Sequence, residues 1–385
     1  MDLTNATNLE KLYLDGCESL VEIPSSFSHL QKLDWLDMAE CINLQVIPPH
    51  LNLASLNYLN MFRCTKLRNF PAMSTHISNL TMSFTAVKDV PASTRLCSRL
   101  YRLYLSVNTN LKEITHLPRC LIELCQSYTE IEEIPESIKD LHQLSKLYLS
   151  GCKRLTSLPE LPRSLTYLSA YDCESLETVL CPFNTPNAGL CFLNCFKLDQ
   201  QTQRAIIQRS FGNGYTRLPG REVPAEFEHR ARGNSLTIRL DGNMPLHVSF
   251  MLCLVVSPNH QDPISEWLIQ TVLCRRIVNG HLDPNGEESS IYTVKFRKEH
   301  LFIFDSKFRY FHSGKVSSEV VFEFSCESQK LNILECGAMS LNSWMMPPRK
   351  RTVQMKKYVD RKKTTPKKPG TIHMKKSVTL KRKRI

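Results

Sequence analysis

The chain has 385 residues, enough for two or three domains at about 150 residues each. Hydrophobic residues make up 42% of it, enough to bury real cores, yet the longest apolar stretch, 245–256, is shorter than the ~20 residues of a bilayer span. The net charge of +12 is concentrated in residues 347–385, where 16 Lys or Arg face a single acid, Asp360, so the rest of the chain is slightly acidic. No charged start leads into an apolar run, so the sequence predicts neither a signal peptide nor a membrane partner.

The first half repeats one short pattern. Leu12-Tyr13-Leu14-Asp15-Gly16-Cys17 runs on to Leu20 and Ile23-Pro24, and Leu36-Asp37-Met38-Ala39-Glu40-Cys41 runs on to Leu44 and Ile47-Pro48. The anchor falls at Cys17, Cys41, Cys64, Thr85, Asn108, Thr129, Cys152 and Cys173, at intervals of 21 to 24 residues. That period and that spacing of leucines are the leucine-rich-repeat signature. About eight repeats over 1–180 predict an α/β solenoid, each repeat giving one strand to a parallel sheet while its Leu-x-x-Ile-Pro segment turns along the outer face. No repeat can bury its own apolar side, so the array is expected to stand or fall together. The pattern opens at Thr7-Asn8-Leu9 without a polar capping unit, which predicts an exposed first repeat, poor solubility, and a chain that is part of something longer.

Fifteen cysteines could suggest disulfides. Five of them, however, sit at the anchor, where Thr and Asn substitute, so the position wants a small group that satisfies turn backbone. Free thiols and a reducing compartment follow.

A Pro- and Asn-containing linker, 181–187, is expected to end the repeats. A helix over 199–211 follows, and then strand-like runs at 235–239, 246–256, 267–274, 291–296, 301–304, 319–324 and 331–336. Short β segments between turn residues predict an all-β sandwich domain over 181–340. The tail, 341–385, carries too few large apolar residues to bury a core and is expected to be disordered.

On the repeat strands, the residues between core leucines face the concave side. They are Tyr13, Asp15, Trp35, Asp37, Tyr58, Asn60, Phe62, Arg102, Tyr104, Lys146, Tyr148, Tyr167, Ser169 and Tyr171. Exposed aromatics with scattered charges make protein-binding hot spots. A packed sheet that simply favours aromatic cross-strand neighbours would read the same.

Chemistry has little support. There is no Gly-x-Ser-x-Gly elbow, no His-Glu-x-x-His and no phosphate loop. Cys191-x-x-x-Cys195 with Cys181 nearby is a loose metal-like spacing without a second pair. The sequence therefore predicts no enzyme activity and no cofactor. In the tail, Arg349, Lys350, Arg351, Lys356, Lys357, Arg361, Lys362 and Lys363 form clusters that read first as a bipartite nuclear-import signal, with a plain solvated extension or salt-sensitive contacts to nucleic-acid phosphates as the alternatives.

The repeats resemble those of plant intracellular disease-resistance receptors of the Toll/interleukin-receptor, nucleotide-binding, leucine-rich-repeat type. The carrying residues are Leu12-Tyr13-Leu14-Asp15-Gly16-Cys17, Leu147-Tyr148-Leu149-Ser150-Gly151-Cys152 and Leu161-Pro162-Arg163-Ser164-Leu165. Phe192-Leu193-Asn194-Cys195-Phe196, Leu218-Pro219-Gly220-Arg221-Glu222-Val223-Pro224 and Cys336-Gly337 resemble the jelly-roll and immunoglobulin-like domain that follows the repeats there. The resemblance covers about 1–340. It implies sensing of a pathogen effector or a guarded host protein, with a full-length receptor as a possible partner, in cytoplasm and nucleus. It also implies that the nucleotide-binding and NAD-cleaving modules lie upstream, outside this chain. The alternative is a nuclear adaptor that holds nucleic acid through its tail.

Overall fold

In the computed structural model the described residues are 2–48, 55–70, 74–211, 214–240, 249–259, 270–283, 289–293, 296–306, 319–326 and 330–341. The expected basic tail, with all its import-signal candidates, lies outside them. So do the N-terminal residues of the run expected at 246–256.

Each repeat contributes a three-residue strand whose central leucine points inward. Lys11–Tyr13, Trp35–Asp37, Tyr58–Asn60, Asn79–Thr81, Arg102–Tyr104, Glu123–Cys125, Lys146–Tyr148 and Tyr167–Ser169 pair in parallel, leucine opposite leucine at every step. Those leucines are nearly all fully buried while their neighbours, Ser169 apart, are half-exposed or exposed, as a period of two requires on a one-sided sheet.

The anchor side chains explain why Cys, Thr and Asn interchange. The thiols of Cys41, Cys64, Cys152 and Cys173 each donate to a carbonyl of the preceding repeat, at Leu14, Met38, Gln126 and Leu149, all at 3.2 Å. Asn108 does the same to Met82 at 2.9 Å, while Thr85 and Thr129 donate within their own turns at 3.1 and 2.8 Å. Burial pushes the Cys64 and Cys152 thiols up to about 12, so they stay protonated donors.

One residue before each anchor the chain turns through positive φ. Gly16 and Gly151 do so freely, but Glu40, Arg63, Phe84, Val107, Tyr128, Asp172 and Asn194 do it too, at φ between 57° and 62°. On the outer face, Pro24, Pro91 and Pro135 start short 3-10 turns at Ser25–His29, Ala92–Leu96 and Glu136–Asp140. The outer segments of this α/β solenoid are therefore 3-10 turns in these repeats and not α-helices. Proline fixes the entry and five residues are too few for a stable helix. Among the described residues the α-helix is Gln200–Ser210, capped by Asp199, whose carboxylate accepts from the Thr202 N–H at 2.6 Å.

The repeat ladder does not stop at the expected linker. Residues 181–187 hold a 3-10 turn, Pro182–Asn184, which is the outer turn of a repeat. A ninth strand, Gly189–Cys191, pairs in parallel with Tyr167–Ser169, and the Cys195 thiol donates to the Ala170 carbonyl at 2.9 Å in the anchor pattern. Thr216–Pro219 then pairs in parallel with the ninth strand on one side and antiparallel with His300–Asp305 on the other. Through that strand the repeat sheet runs on into His300–Asp305, Phe250–Pro258, Leu331–Ser340 and His229–Arg232 without a gap, fourteen strands among the described residues. The signal for a ninth repeat, Cys195 at 22 residues from Cys173, was in the sequence. The prolines of 181–187 masked it.

A second sheet orders Ser235–Arg239, Glu319–Cys326, Gln270–Val278 and His281–Leu282, with Ser289–Thr293 also on Gln270–Val278. The strand Phe250–Pro258 is buried on both faces, which is why it reads as an unbroken apolar run. Met251, Cys253 and Val255 join the core that is continuous with the repeats. Phe250, Leu252 and Leu254 instead meet Leu236, Ile238, Phe322 and Phe324 of the second sheet.

Candidate protein-recognition surface

The concave sheet sorts its side chains into columns because strand register is exact from repeat to repeat. In the N-terminal half, Trp35 and Tyr58 stack with ring centroids 3.5 Å apart, and the Asn60 amide donates to Asp37 at 3.0 Å. Tyr13 stands out at 58% exposure, with exposed Asp15 two residues on. Phe62 meets Phe84 edge-to-face at 5.3 Å.

The C-terminal half is a field of tyrosines. Tyr148 and Tyr167 pack edge-to-face at 5.5 Å, and Tyr167 is followed by Tyr215 at 6.4 Å. Arg102 lies 3.8 Å from Glu123, while Lys146 is exposed. The Arg217 guanidinium sits over the Tyr215 ring at 5.2 Å. Burial pushes the Tyr104, Tyr148 and Tyr215 hydroxyls up to about 12, and raises Tyr167 as well, so all stay neutral.

Two glycines make room for aromatic rings. Gly151 lies under Tyr128, and a Cβ there would collide with the ring. Thus placed, the Tyr128 hydroxyl reaches that of Tyr171. Gly189 lies under Tyr215 in the same way.

Most of the residues expected on this face are brought together there. Ser169 is the exception: it is buried at 5% and bonded to the Ser150 hydroxyl at 2.8 Å. Phe84, Glu123, Tyr128, Tyr215 and Arg217 were not foreseen. Phe84 and Tyr128 occupy the positive-φ position, whose outward aim is not visible in a leucine pattern. Tyr215 and Arg217 lie beyond the point where the repeats were expected to end.

The suspected metal spacing does not assemble. Cys191 and Cys195 are buried, Cys181 is exposed, and the Cys195 thiol is engaged with backbone. Among the described residues no three His, Cys, Asp or Glu converge as metal ligands. Among them, too, no helix is long and apolar enough to cross a membrane.

No protein-family model matches the chain. Individual relatives do. The disease resistance protein RML1B of Arabidopsis thaliana is 51% identical over 346 residues, covering 88% of this chain and 32% of that protein. The chain belongs to the plant disease-resistance protein family. Two further Arabidopsis thaliana relatives, the disease resistance proteins RPP5 and RPS6, are each 31% identical, over 88% and 86% of this chain and 22% and 27% of their own length. The chain thus spans between a fifth and a third of the length of these three resistance proteins. Among solved structures, the leucine-rich repeat domain of the type III effector XopL aligns at TM-score 0.33 and 18% identity, over 47% of this chain and 67% of that one. The functional domain of InlJ from Listeria monocytogenes aligns at TM-score 0.24 and 16% identity, over 76% and 80%. At such scores the repeat architecture rests on the strand ladder itself.

Proposed function

We propose that this chain is the recognition part of a plant intracellular immune receptor, binding a protein through its concave repeat face. The partner is a pathogen effector or the host protein the effector targets. The observation that carries this is the aromatic content of that face. Tyr13, Trp35, Tyr58, Phe62, Tyr104, Tyr148 and Tyr167 lie half-exposed or exposed on one rigid sheet, where large flat side chains lose little entropy on binding. The chain acts without catalysis. The region after the repeats is a jelly-roll or immunoglobulin-like β-sandwich, supported by two sheets sharing one buried cluster. A complete resistance receptor is a further partner, and cytoplasm and nucleus are the sites of action.

Co-precipitation of the full chain from infected plant cells tests the reading. A specific effector or host target should be captured by the native chain and lost from a Tyr58→Ala, Tyr148→Ala double variant. Capture that survives both substitutions would move recognition off this face. The second reading, a nucleic-acid-associated nuclear adaptor, rests on the basic clusters of 349–363 and on 381–384. It predicts that deleting 347–385 abolishes low-salt retention on nucleic acid while leaving protein capture intact.

A further inference from the structure

The two halves of the concave face differ in charge. Asp15 and Asp37 outnumber the one cation of the N-terminal strands, Lys11. In the C-terminal half the strand columns carry Arg102, Lys146 and Arg217 against one carboxylate, Glu123, which already faces Arg102 at 3.8 Å. Lys146 is exposed, and no salt bridge engages it or Arg217 among the described residues.

Arg217 is held ready for a ligand. By register it extends the column Tyr148, Ser169, Cys191. Its guanidinium is fixed between two rings, 5.2 Å from the Tyr215 centroid and 5.8 Å from that of Phe302. Its Nε is buried and has no hydrogen-bond partner among the described residues. A planar, oriented fork with a buried unmet donor fits a carboxylate better than any neutral group. Between Lys146 and Arg217 runs the floor of Tyr148, Tyr167 and Tyr215. Tyr215 lies flat because Gly189 beneath it has no side chain. Three strand steps of about 4.8 Å separate the two cations, a span of roughly 15 Å that suits an extended segment of about five residues or a helix of about three turns in a partner.

We infer that the C-terminal half of the concave face binds an acidic segment of the partner protein, with aromatic or aliphatic side chains on the tyrosine floor and a carboxylate on Arg217. This rests on the reading of the concave face as the recognition surface. It adds the partner's chemistry and the half it occupies.

Fluorescence anisotropy on the full chain tests it, using a labelled peptide of alternating Glu and Phe and its twin with Gln in place of Glu. The acidic peptide should bind at least about tenfold tighter at low salt, and added salt should erase the difference. Arg217→Gln should remove most of that preference, and Lys146→Gln, at an exposed position that cannot unfold the chain, should reduce it. Gly189→Ala should weaken both peptides by displacing Tyr215, and Asp37→Asn should change neither. Equal affinity for the two peptides, or a preference unchanged in both Arg217→Gln and Lys146→Gln, overturns the inference. A cellular partner lost with Tyr58→Ala and Tyr148→Ala yet indifferent to Arg217→Gln and Lys146→Gln also overturns it, while leaving the recognition surface standing. A partner indifferent to all four removes both.

Discussion

The backbone N–H of Asn194 donates to Nε2 of His300 at 2.8 Å, across 106 residues of sequence. The other ring nitrogen, Nδ1, meets the Lys298 carbonyl at 2.8 Å, so the ring is neutral with its proton on Nδ1. The Asn194 side chain donates to Asp172 at 2.7 Å and accepts from the Arg297 N–H at 2.9 Å. The last repeat turn and the antiparallel strand His300–Asp305 are therefore clasped by one imidazole, packed against Phe196 and Phe296.

That clasp makes stability depend on pH. Burial lowers His300 from 6.5 to about 4. Between those values the unfolded chain binds a proton that the folded chain refuses, so stability falls as pH drops through the window, by up to about 3 kcal/mol at its foot. Denaturant melts at pH 7 and pH 4.5 should show the difference. In His300→Gln that part of the slope should vanish, together with about 1–3 kcal/mol of stability at pH 7 if the buried Asn194 N–H loses its acceptor.

Gln126 is a polar residue at a core position. It occupies the place that Leu105 and Leu149 hold in the adjoining repeats, is fully buried, and its side-chain amide finds no partner among the described residues. Gln126→Leu should raise stability by about 1–2 kcal/mol, read as a shift of the denaturation midpoint with unchanged slope.

The anchor thiols should behave as donors and not as nucleophiles. Cys152→Ser keeps a donor to the Gln126 carbonyl, and Cys152→Ala removes it and opens a small void, so the alanine variant should be the less stable by about 1 kcal/mol. Native alkylation followed by mass spectrometry should label the exposed Cys181 and spare Cys64 and Cys152.

Val107 turns through φ 58°, a conformation that costs a β-branched residue dearly. Val107→Asn should gain about 1 kcal/mol in thermal denaturation, because asparagine tolerates that region. The sister position Gly151 has no such slack, and Gly151→Ala should destabilise by dislodging Tyr128.

The repeat itself was legible because a strand with one buried side writes its leucines at fixed spacing. The interchange of Cys, Thr and Asn at the anchor foretold a backbone-satisfying role, which the donor bonds to Leu14, Met38 and Met82 fulfil. The runs at 235–239 and 301–304 fall on the strands Ser235–Arg239 and His300–Asp305. His229–Arg232 was missed, since His-Arg-Ala-Arg carries no apolar alternation and forms a strand only by pairing with Leu331–Ser340. The passage of the sheet from parallel to antiparallel at Thr216–Pro219 is a long-range event with no local signal. Tyr215 and Arg217 were hidden with it.

Site-specific photocrosslinking in plant cells tests the central claim most directly. A photoreactive residue is placed singly at Tyr58 and Tyr148 on the concave sheet and at Lys139 on the outer turn, and adducts are identified by mass spectrometry. The account predicts that the two concave positions capture the same pathogen or host protein and that Lys139 does not. Capture from Lys139 alone would contradict it.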